Sequence, residues 1–291
     1  MSSPAAERWA KARSFHHSGY SPARIAAERD CEVSVCLPAR ECAGTVGEIV
    51  AALTELRAAG AIDEIVVVDA ASRDGTAAVA RRAGATVWQE AELLPAYGPV
   101  LGKGDAMWRA LSVLGGELVC FLDADTDGFS SHFATGLLGP LVCERGISFV
   151  KGFYRRPLAG GERDGDGGGR VNHLTARPAL QVLYPELAEV RQPLAGEVAA
   201  RRTLLEGLPF ATGYGVEIAM LIDVWREHGL DAIAQVDLDV HHNRHQPLSA
   251  LTPMAATVLA TIASRLEREG RLRGAEGEPP ERPPLAGVKV A

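Results

Sequence analysis

Three short apolar runs, each stopping on a polar residue, constrain this chain most. They are Val33-Ser34-Val35-Cys36-Leu37 before Pro38-Ala39-Arg40, Ile65-Val66-Val67-Val68 before Asp69, and Leu118-Val119-Cys120-Phe121-Leu122 before Asp123. Residues 45–60, 73–84, 102–116 and 132–146 have helical periodicity, and 85–90 and 147–156 read as further strands. Near-continuous apolar strands alternating with helices predict a parallel sheet covered on both faces. Such sheets gather ligands beyond the carboxyl ends of their strands, where Arg40, Asp69, Asp123 and Asp125 all fall.

The pattern changes after about residue 155. A glycine-rich, charged loop over 158–170 is expected to move. Helices follow at 174–187 and 213–229, with no element assigned to 192–210 between them. Residues 232–245 read as a strand and 248–271 as a helix. The proline-rich residues 274–291 read as a disordered tail. This divides the chain into a lead-in over 1–30, an α/β region over 31–155, a second region over 156–272 and a tail over 273–291, with no internal repeat.

The composition, 47% hydrophobic and 23% charged, is that of a soluble globular protein. A net charge of −7 excludes a general basic field for nucleic acid. No apolar run reaches the roughly 18–20 residues of a membrane span, and residues 1–15 lack the apolar segment of a secretory signal. The expected setting is therefore cytoplasmic, with neither nucleic-acid nor membrane partners. The five cysteines (Cys31, Cys36, Cys42, Cys120, Cys143) include no C-x-x-C pair, and Cys36 and Cys120 read as small core residues.

Asp123 and Asp125 share side-chain parity at a strand end, so both can face one ligand. Hard oxygen donors select Mg²⁺ or Mn²⁺, and such an ion makes a diphosphate a better leaving group. The same triplet also fits a turn and N-cap cluster before a helix at Ser130, and Asp127 suits that role best. Asp69 can accept hydrogen bonds from a ribose or base, whereas Asp74, with Thr76 behind it, reads as a helix N-cap. Lys103, between Gly102 and Gly104 at a helix start, offers an ammonium and amides to a phosphate, or is a solvated surface lysine. The GxxxxGK[ST] spacing of a P-loop is absent. His241-His242-Asn243-Arg244-His245 ends the last strand, either as a polar turn or with an imidazole completing the metal site begun by Asp125. His16 and His17 read as surface residues. Gly167-Gly168-Gly169-Arg170 is a linker or a grip for a small anion. Glu217 opens a helix as a favourable charge or as a partner for sugar hydroxyls.

Taken in order, Pro38-Ala39-Arg40, Asp123-Ala124-Asp125-Thr126, Gly167-Gly168-Gly169-Arg170-Val171, Ala176-Arg177-Pro178, Thr212-Gly213-Tyr214-Gly215-Val216-Glu217 and His241-His242-Asn243-Arg244 cover nearly the whole chain. In this combination it resembles the glucosyl-3-phosphoglycerate and mannosyl-3-phosphoglycerate synthases, retaining glycosyltransferases of the GT-A fold. The resemblance implies a Rossmann-like nucleotide-sugar-binding sheet over 31–155 and a helical acceptor-binding C-terminal part over 156–272. It implies that Pro38, Ala39, Arg40, Glu41, Asp69 and Ser72 hold the nucleoside, that Lys103 contacts the diphosphate, and that Asp123 and Ala124 contact the donor. Asp125 and His241 would ligate Mg²⁺ or Mn²⁺, and Glu217 would bind the donor sugar, with Asp125, Glu217 and Lys103 at the catalytic centre. Gly169, Arg170 and Asn243 would hold phosphoglycerate, with Asn172 standing where the glucosyl enzymes are expected to have threonine.

The implied reaction moves mannose from GDP-mannose to 3-phosphoglycerate with retention, in a homodimer. A glucosyl enzyme using UDP- or GDP-glucose is the alternative. A non-catalytic nucleotide-sugar-binding protein is a rival that Asp125, Lys103 and His241 argue against. A sugar-phosphate nucleotidyltransferase would need a glycine-rich loop right after the first strand. A polyprenyl-phosphate glycosyltransferase would need a membrane-seeking apolar segment.

Overall fold

The computed structural model describes residues 3–156, 168–242, 247–271 and 281–287. The chain runs α1 (Pro4–Arg13), β1 (Ser14–His16), α2 (Pro22–Glu28), β2 (Val33–Ala39), α3 (Val46–Ala58), β3 (Glu64–Asp69), α4 (Thr76–Ala83) and β4 (Thr86–Gln89). It continues through α5 (Lys103–Ala110), β5 (Leu118–Phe121), α6 (His132–Cys143) and β6 (Phe149–Arg155) to a π-turn at Asn172–Ala176 and α7 (Arg177–Leu183). Then come β7 (Val198–Arg201), α8 (Arg202–Gly207), β8 (Phe210–Ala211), α9 (Val216–His228), β9 (Ile233–Val240), α10 (Leu248–Arg268) and β10 (Glu281–Arg282).

Among the described residues the main sheet has eight strands in the order β1-β9-β6-β7-β5-β2-β3-β4. Its side chains alternate between two cores, as the apolar runs require. Val66 and Val68 join Trp108, Phe121 and Leu221 on one face, while Ile65 and Val67 join Ile49, Leu53 and Leu137 on the other. Full burial of each such side chain contributes about 1.5–3 kcal/mol. Cys36 and Cys120 are fully buried, as expected, and all five cysteines are free thiols. No helix among the described residues is long and apolar enough to cross a membrane.

The sheet is mixed rather than all-parallel. β7 runs antiparallel to both neighbours, β5 and β6. Residues 192–210 hid this strand because it is four residues long and holds two alanines, which carry little strand preference. Its reversed direction brings the residues just before it, Gly196 and Glu197, to the rim where the parallel strands end.

Both chain ends take part in the fold more than expected. Within the lead-in, Trp9 is buried and donates from Nε1 to the Ile233 carbonyl (2.8 Å), and β1 pairs in parallel with β9. Three residues of strand are too few to show a period. His16 and His17 are not plain surface residues, because both imidazoles face Asp239.

Within the expected disordered tail, Glu281–Arg282 pairs antiparallel with β8, and the Pro283 carbonyl accepts from Trp108 Nε1 at 2.7 Å. Arg282 donates to both oxygens of the fully buried Asp105, at 2.7 Å each. A buried carboxylate needs such a partner, so Arg282, together with the strand pairing, the Trp108 contact and the ion pairs of Glu281 with Arg265 and Arg268, anchors a composition that otherwise reads as disorder. Leu285 is buried in the core as well; residues 273–280 and 288–291 lie outside the described residues, as does most of the loop at 158–170.

Candidate active site

β5 delivers Asp123 and Asp125 just beyond its end, and the structure gathers charge around them. Lys103 Nζ lies 2.6 Å from Asp123 Oδ1 and 3.0 Å from Glu217 Oε1, joining the first residue of α5, the end of β5 and the first turn of α9. Burial works against the Lys103 charge, but Asp123 and Glu217 outweigh it and hold the ammonium well above its usual range. Lys103 is therefore an ion-paired cation in a cavity and not a solvated surface lysine.

Gly104, beside Lys103, has a packing role. A Cβ on Gly104 would sit 1.8 Å from the Ala211 carbonyl oxygen, so this glycine lets α5 pack on β8. The Asp105 amide is also taken, donating to the Thr212 carbonyl at 3.2 Å.

Asp125 lies in the same cavity, where burial and then the Asp123 charge push its carboxyl up. His241 is 1% exposed, and its Nε2 is 3.1 Å from both Glu197 Oε1 and Thr126 Oγ1. The Tyr154 ring stacks on it at 4.5 Å, and Phe133 meets it edge-on at 5.6 Å. Its Nδ1 is buried with no hydrogen-bond partner among the described residues. In the neutral ring that donates Nε2–H to Glu197, Nδ1 carries a free lone pair, the arrangement of carboxylate-oriented histidine ligands. A carboxylate and an orphaned imidazole nitrogen fit a Mn²⁺-class cation. Without an ion, a protonated His241 leads the groups that hold the Glu197 carboxyl below its usual range against the cost of burial. The Asp127 amide donates to the His242 carbonyl (3.0 Å), tying the two ligand-bearing segments together. Asp127 thus acts through its backbone and not as the N-cap of α6, which is Ser131.

The residues expected to hold the nucleoside form one ledge. Pro38 and Ala39 close β2, and Ala39 lies in register with Asp69 of β3. Past the strands, the Glu41 amide donates to Ser72 Oγ and the Arg73 amide to Glu41 Oε1, both at 2.8 Å. Asp69 is buried; its Oδ2 accepts from Gln89 Nε2 (2.9 Å) and the Ser72 amide (3.2 Å), while its Oδ1 has no partner among the described residues. Arg40 is exposed at the lip. Asp74 is structural, accepting from the Thr76 amide, the Thr76 hydroxyl and the Ala43 amide, although the capping position itself is Gly75.

A cavity of about 270 Å³ brings Lys103, Asp123, Asp125 and Glu217 together with Gly169, Arg170 and Asn172. Gly169 has φ +68°, the left-handed region, next to the π-turn that begins at Asn172. The Asn172 amide is engaged within the protein: Nδ2 donates to the Arg191 carbonyl (3.3 Å), and Oδ1 accepts from the Leu194 amide (3.4 Å). Asn243 lies outside the described residues.

Sequence reasoning missed Gly196, Glu197, Tyr154 and Lys151. A Cβ on Gly196 would lie 2.4 and 2.5 Å from the Asp123 carboxylate oxygens and 2.6 Å from Lys103 Nζ, so the ion pair rests on bare backbone. Lys151 is buried, donates to the Ala195 carbonyl at 2.6 Å, and is lowered to about 8 by burial. The one available signal was Glu197, a lone charge in the apolar run Val198-Ala199-Ala200.

Comparison with known proteins places the chain in a family. Residues 34–127 match the profile of glycosyl transferase family 2. The chain is 44% identical over 260 residues to the glucosyl-3-phosphoglycerate synthase of Mycolicibacterium smegmatis, covering 89% of this chain and 86% of that one. The solved mannosyl-3-phosphoglycerate synthase of Rubrobacter xylanophilus superposes with a TM-score of 0.92 at 43% identity, over 97% of this chain and 99% of that one. The Mycobacterium tuberculosis glucosyl-3-phosphoglycerate synthase, solved with Mn²⁺, UDP-glucose and phosphoglyceric acid, superposes with a TM-score of 0.83 at 39% identity, over 94% and 98%. The chain belongs to the glucosyl-3-phosphoglycerate and mannosyl-3-phosphoglycerate synthase family of glycosyltransferases.

Proposed function

We propose that this chain is a glucosyl-3-phosphoglycerate synthase, moving glucose from a nucleoside diphosphate to 3-phosphoglycerate with retention at the anomeric carbon. The observation that carries it is one cavity joining the Lys103-Asp123-Glu217 charge cluster and Asp125 to Gly169 and Arg170. The sequence relatives favour glucose over the GDP-mannose first expected. Mannose remains the second reading, favoured by the match to the Rubrobacter xylanophilus mannosyl enzyme. We include a homodimer in the proposal, tested by mass in solution.

The divalent cation, held by Asp125 and His241, supplies charge neutralisation for the departing nucleoside diphosphate. Asp69, Ser72 and the Pro38–Glu41 ledge hold the nucleoside. Asp123 and Glu217 keep the Lys103 ammonium charged and fixed, ready for diphosphate oxygens. Glu217 accepts hydrogen bonds from sugar hydroxyls, orienting the ring. Arg170 and the Gly169 backbone hold the anionic acceptor so that its hydroxyl reaches the anomeric carbon from the leaving-group face. The new C–O bond forms as the old one breaks, and the acceptor proton passes to the leaving phosphate oxygen. Catalysis on this reading is positioning and charge stabilisation.

One assay matrix tests it: UDP- and GDP-glucose and UDP- and GDP-mannose, each with 3-phosphoglycerate, with and without EDTA. The expected result is EDTA-sensitive transfer, fastest from a glucose donor, and its loss in Asp125→Ala. Faster transfer from a mannose donor would establish the second reading. Absence of transfer from every donor, or full transfer by Asp125→Ala, would refute the assignment.

A further inference from the structure

Outside the cavity, the end of the edge strand β1 and the end of β9 bring three ligand-type side chains together. His17 Nε2 is 2.7 Å from Asp239 Oδ2, and His16 Nε2 is 3.6 Å from Asp239 Oδ1. One ligand atom from each residue lies within 4.8 Å of the other two. We propose that His16, His17 and Asp239 form a second cation site, for a divalent ion of the Zn²⁺ class, which fastens the N-terminal edge of the sheet.

The surroundings hold the three groups in position. Asp239 has φ +64°, in the left-handed region, and its amide donates to Asp237 Oδ1 at 2.9 Å, which turns its carboxylate toward the histidines. Aspartate is among the side chains that adopt this region most readily. His16 Nδ1 lies 2.8 Å from Ser18 Oγ. Because Nδ1 also accepts from the Ser18 amide at 3.2 Å, the ion-free ring carries its proton on Nε2, facing Asp239; an ion there requires that proton to move to Nδ1, where Ser18 Oγ can accept it. The His17 ring is fixed between His16 at 4.5 Å and His132 at 4.3 Å. His132 itself is turned away, with its Nε2 3.1 Å from the Leu238 carbonyl.

Two imidazoles and a carboxylate suit Zn²⁺ or Co²⁺ far better than Mg²⁺, and three protein ligands leave a fourth position for water. The His16 and Asp239 side chains, 49% and 48% exposed, give solvent and ion a way in. None of the three lines the substrate cavity. Asp239 is also two residues before His241 in the chain, so a bound ion would stiffen the segment that carries that ligand. The competing role is a clamp without an ion, in which the imidazoles bond directly to the carboxylate.

The test uses the full-length, untagged chain carrying Asp125→Ala, which weakens the nucleotide-side cation site. After equilibration with Zn²⁺ and dialysis, bound metal is counted by mass spectrometry and thermal midpoints are compared with and without Zn²⁺. The expected result is about one retained Zn²⁺ per chain and a Zn²⁺-dependent rise in midpoint, by ligand linkage. Both should vanish when His16→Ala and His17→Ala are added. His16→Gln, at a half-exposed position and with its fold checked by circular dichroism, should weaken Zn²⁺ by more than the roughly 10–100-fold that loss of an outer-shell partner causes. Failure of Asp125→Ala to retain Zn²⁺, or equal retention after the histidines are replaced, would overturn the proposal in favour of the ion-free clamp. Neither outcome touches the glycosyl-transfer reading, which is scored by product formation.

Discussion

Gly196→Ala is the sharpest probe of the charge cluster, because it adds one methyl group and changes no charge. The added Cβ would lie 2.4–2.6 Å from both Asp123 oxygens and Lys103 Nζ, where real Cβ contacts below 3.0 Å are essentially never found. The neighbours are charged groups in a 2.6 Å hydrogen bond, so room comes only if the pair parts or the backbone before β7 withdraws. Either movement is roughly 0.5–1 Å, and overpacking of this size costs about 1–3 kcal/mol. The expected thermal midpoint is therefore lower by a few degrees, with the fold retained. Activity should suffer far more, since a displacement of about 1 Å at catalytic groups costs about 100-fold. On the proposed function, in which the pair positions the donor's diphosphate, the loss should fall on kcat as well as on KM for the sugar nucleotide. Continuous measurement of nucleoside diphosphate release, with the donor varied at saturating 3-phosphoglycerate, separates the two. A Gly196→Ala enzyme with unchanged kcat/KM and an unchanged midpoint would show that the Lys103–Asp123 contact does not matter to the reaction.

Lys103→Met leaves Asp123 and Glu217 without their shared cation; kcat/KM should fall by about 10²–10³, and steady-state kinetics showing less than a fivefold loss would remove Lys103 from the machinery. Glu197→Gln keeps an acceptor beside His241 Nε2 but removes its charge; Mn²⁺ affinity by calorimetry should weaken about 10–100-fold, and an unchanged constant would mean that Glu197 does not orient the ligand. Arg282→Ala strips one of two guanidiniums from buried Asp105 and should destabilise the fold by about 2–3 kcal/mol. Burial opposes the Asp105 charge, but Arg282 first among its partners holds that carboxyl below its usual range. Its contribution is thus present above the unfolded value of about 3.9 and is lost as pH falls through the lower folded value. Arg282→Ala should therefore move the acid-unfolding midpoint to higher pH, and an unmoved midpoint in a circular-dichroism titration would contradict this pairing.

The sheet was legible wherever burial on both faces makes a strand continuously apolar, as in β2, β3 and β5. The rim position of Asp69, Asp123 and Asp125 followed from those runs alone. His241 and Glu217 drew their roles from motif resemblance, because nothing local separates a ligand from a polar turn or a helix-opening charge. Gly196 was not legible at all, and Glu197 showed only as a lone charge beside an apolar run. Their importance comes from β7 entering between β5 and β6, a pairing between segments some eighty residues apart that no window of sequence contains. The termini failed for the same reason: β1 and Arg282 are given their structure by distant partners.

The insertion of β7 also bears on how enzymes of this kind can be re-engineered. Strands from the first and second halves of the chain interleave as β9-β6-β7-β5-β2, so no cut near residue 155 yields two halves with complete hydrogen-bonded edges. A fragment ending at β6 would expose the flanks of β5 and β6 that β7 normally joins, inviting aggregation. Donor preference and acceptor preference are therefore not interchangeable modules. A chimera that grafts the front of one relative onto the back of another must supply a matched β7, with its glycine and glutamate, or the graft will not assemble a working rim.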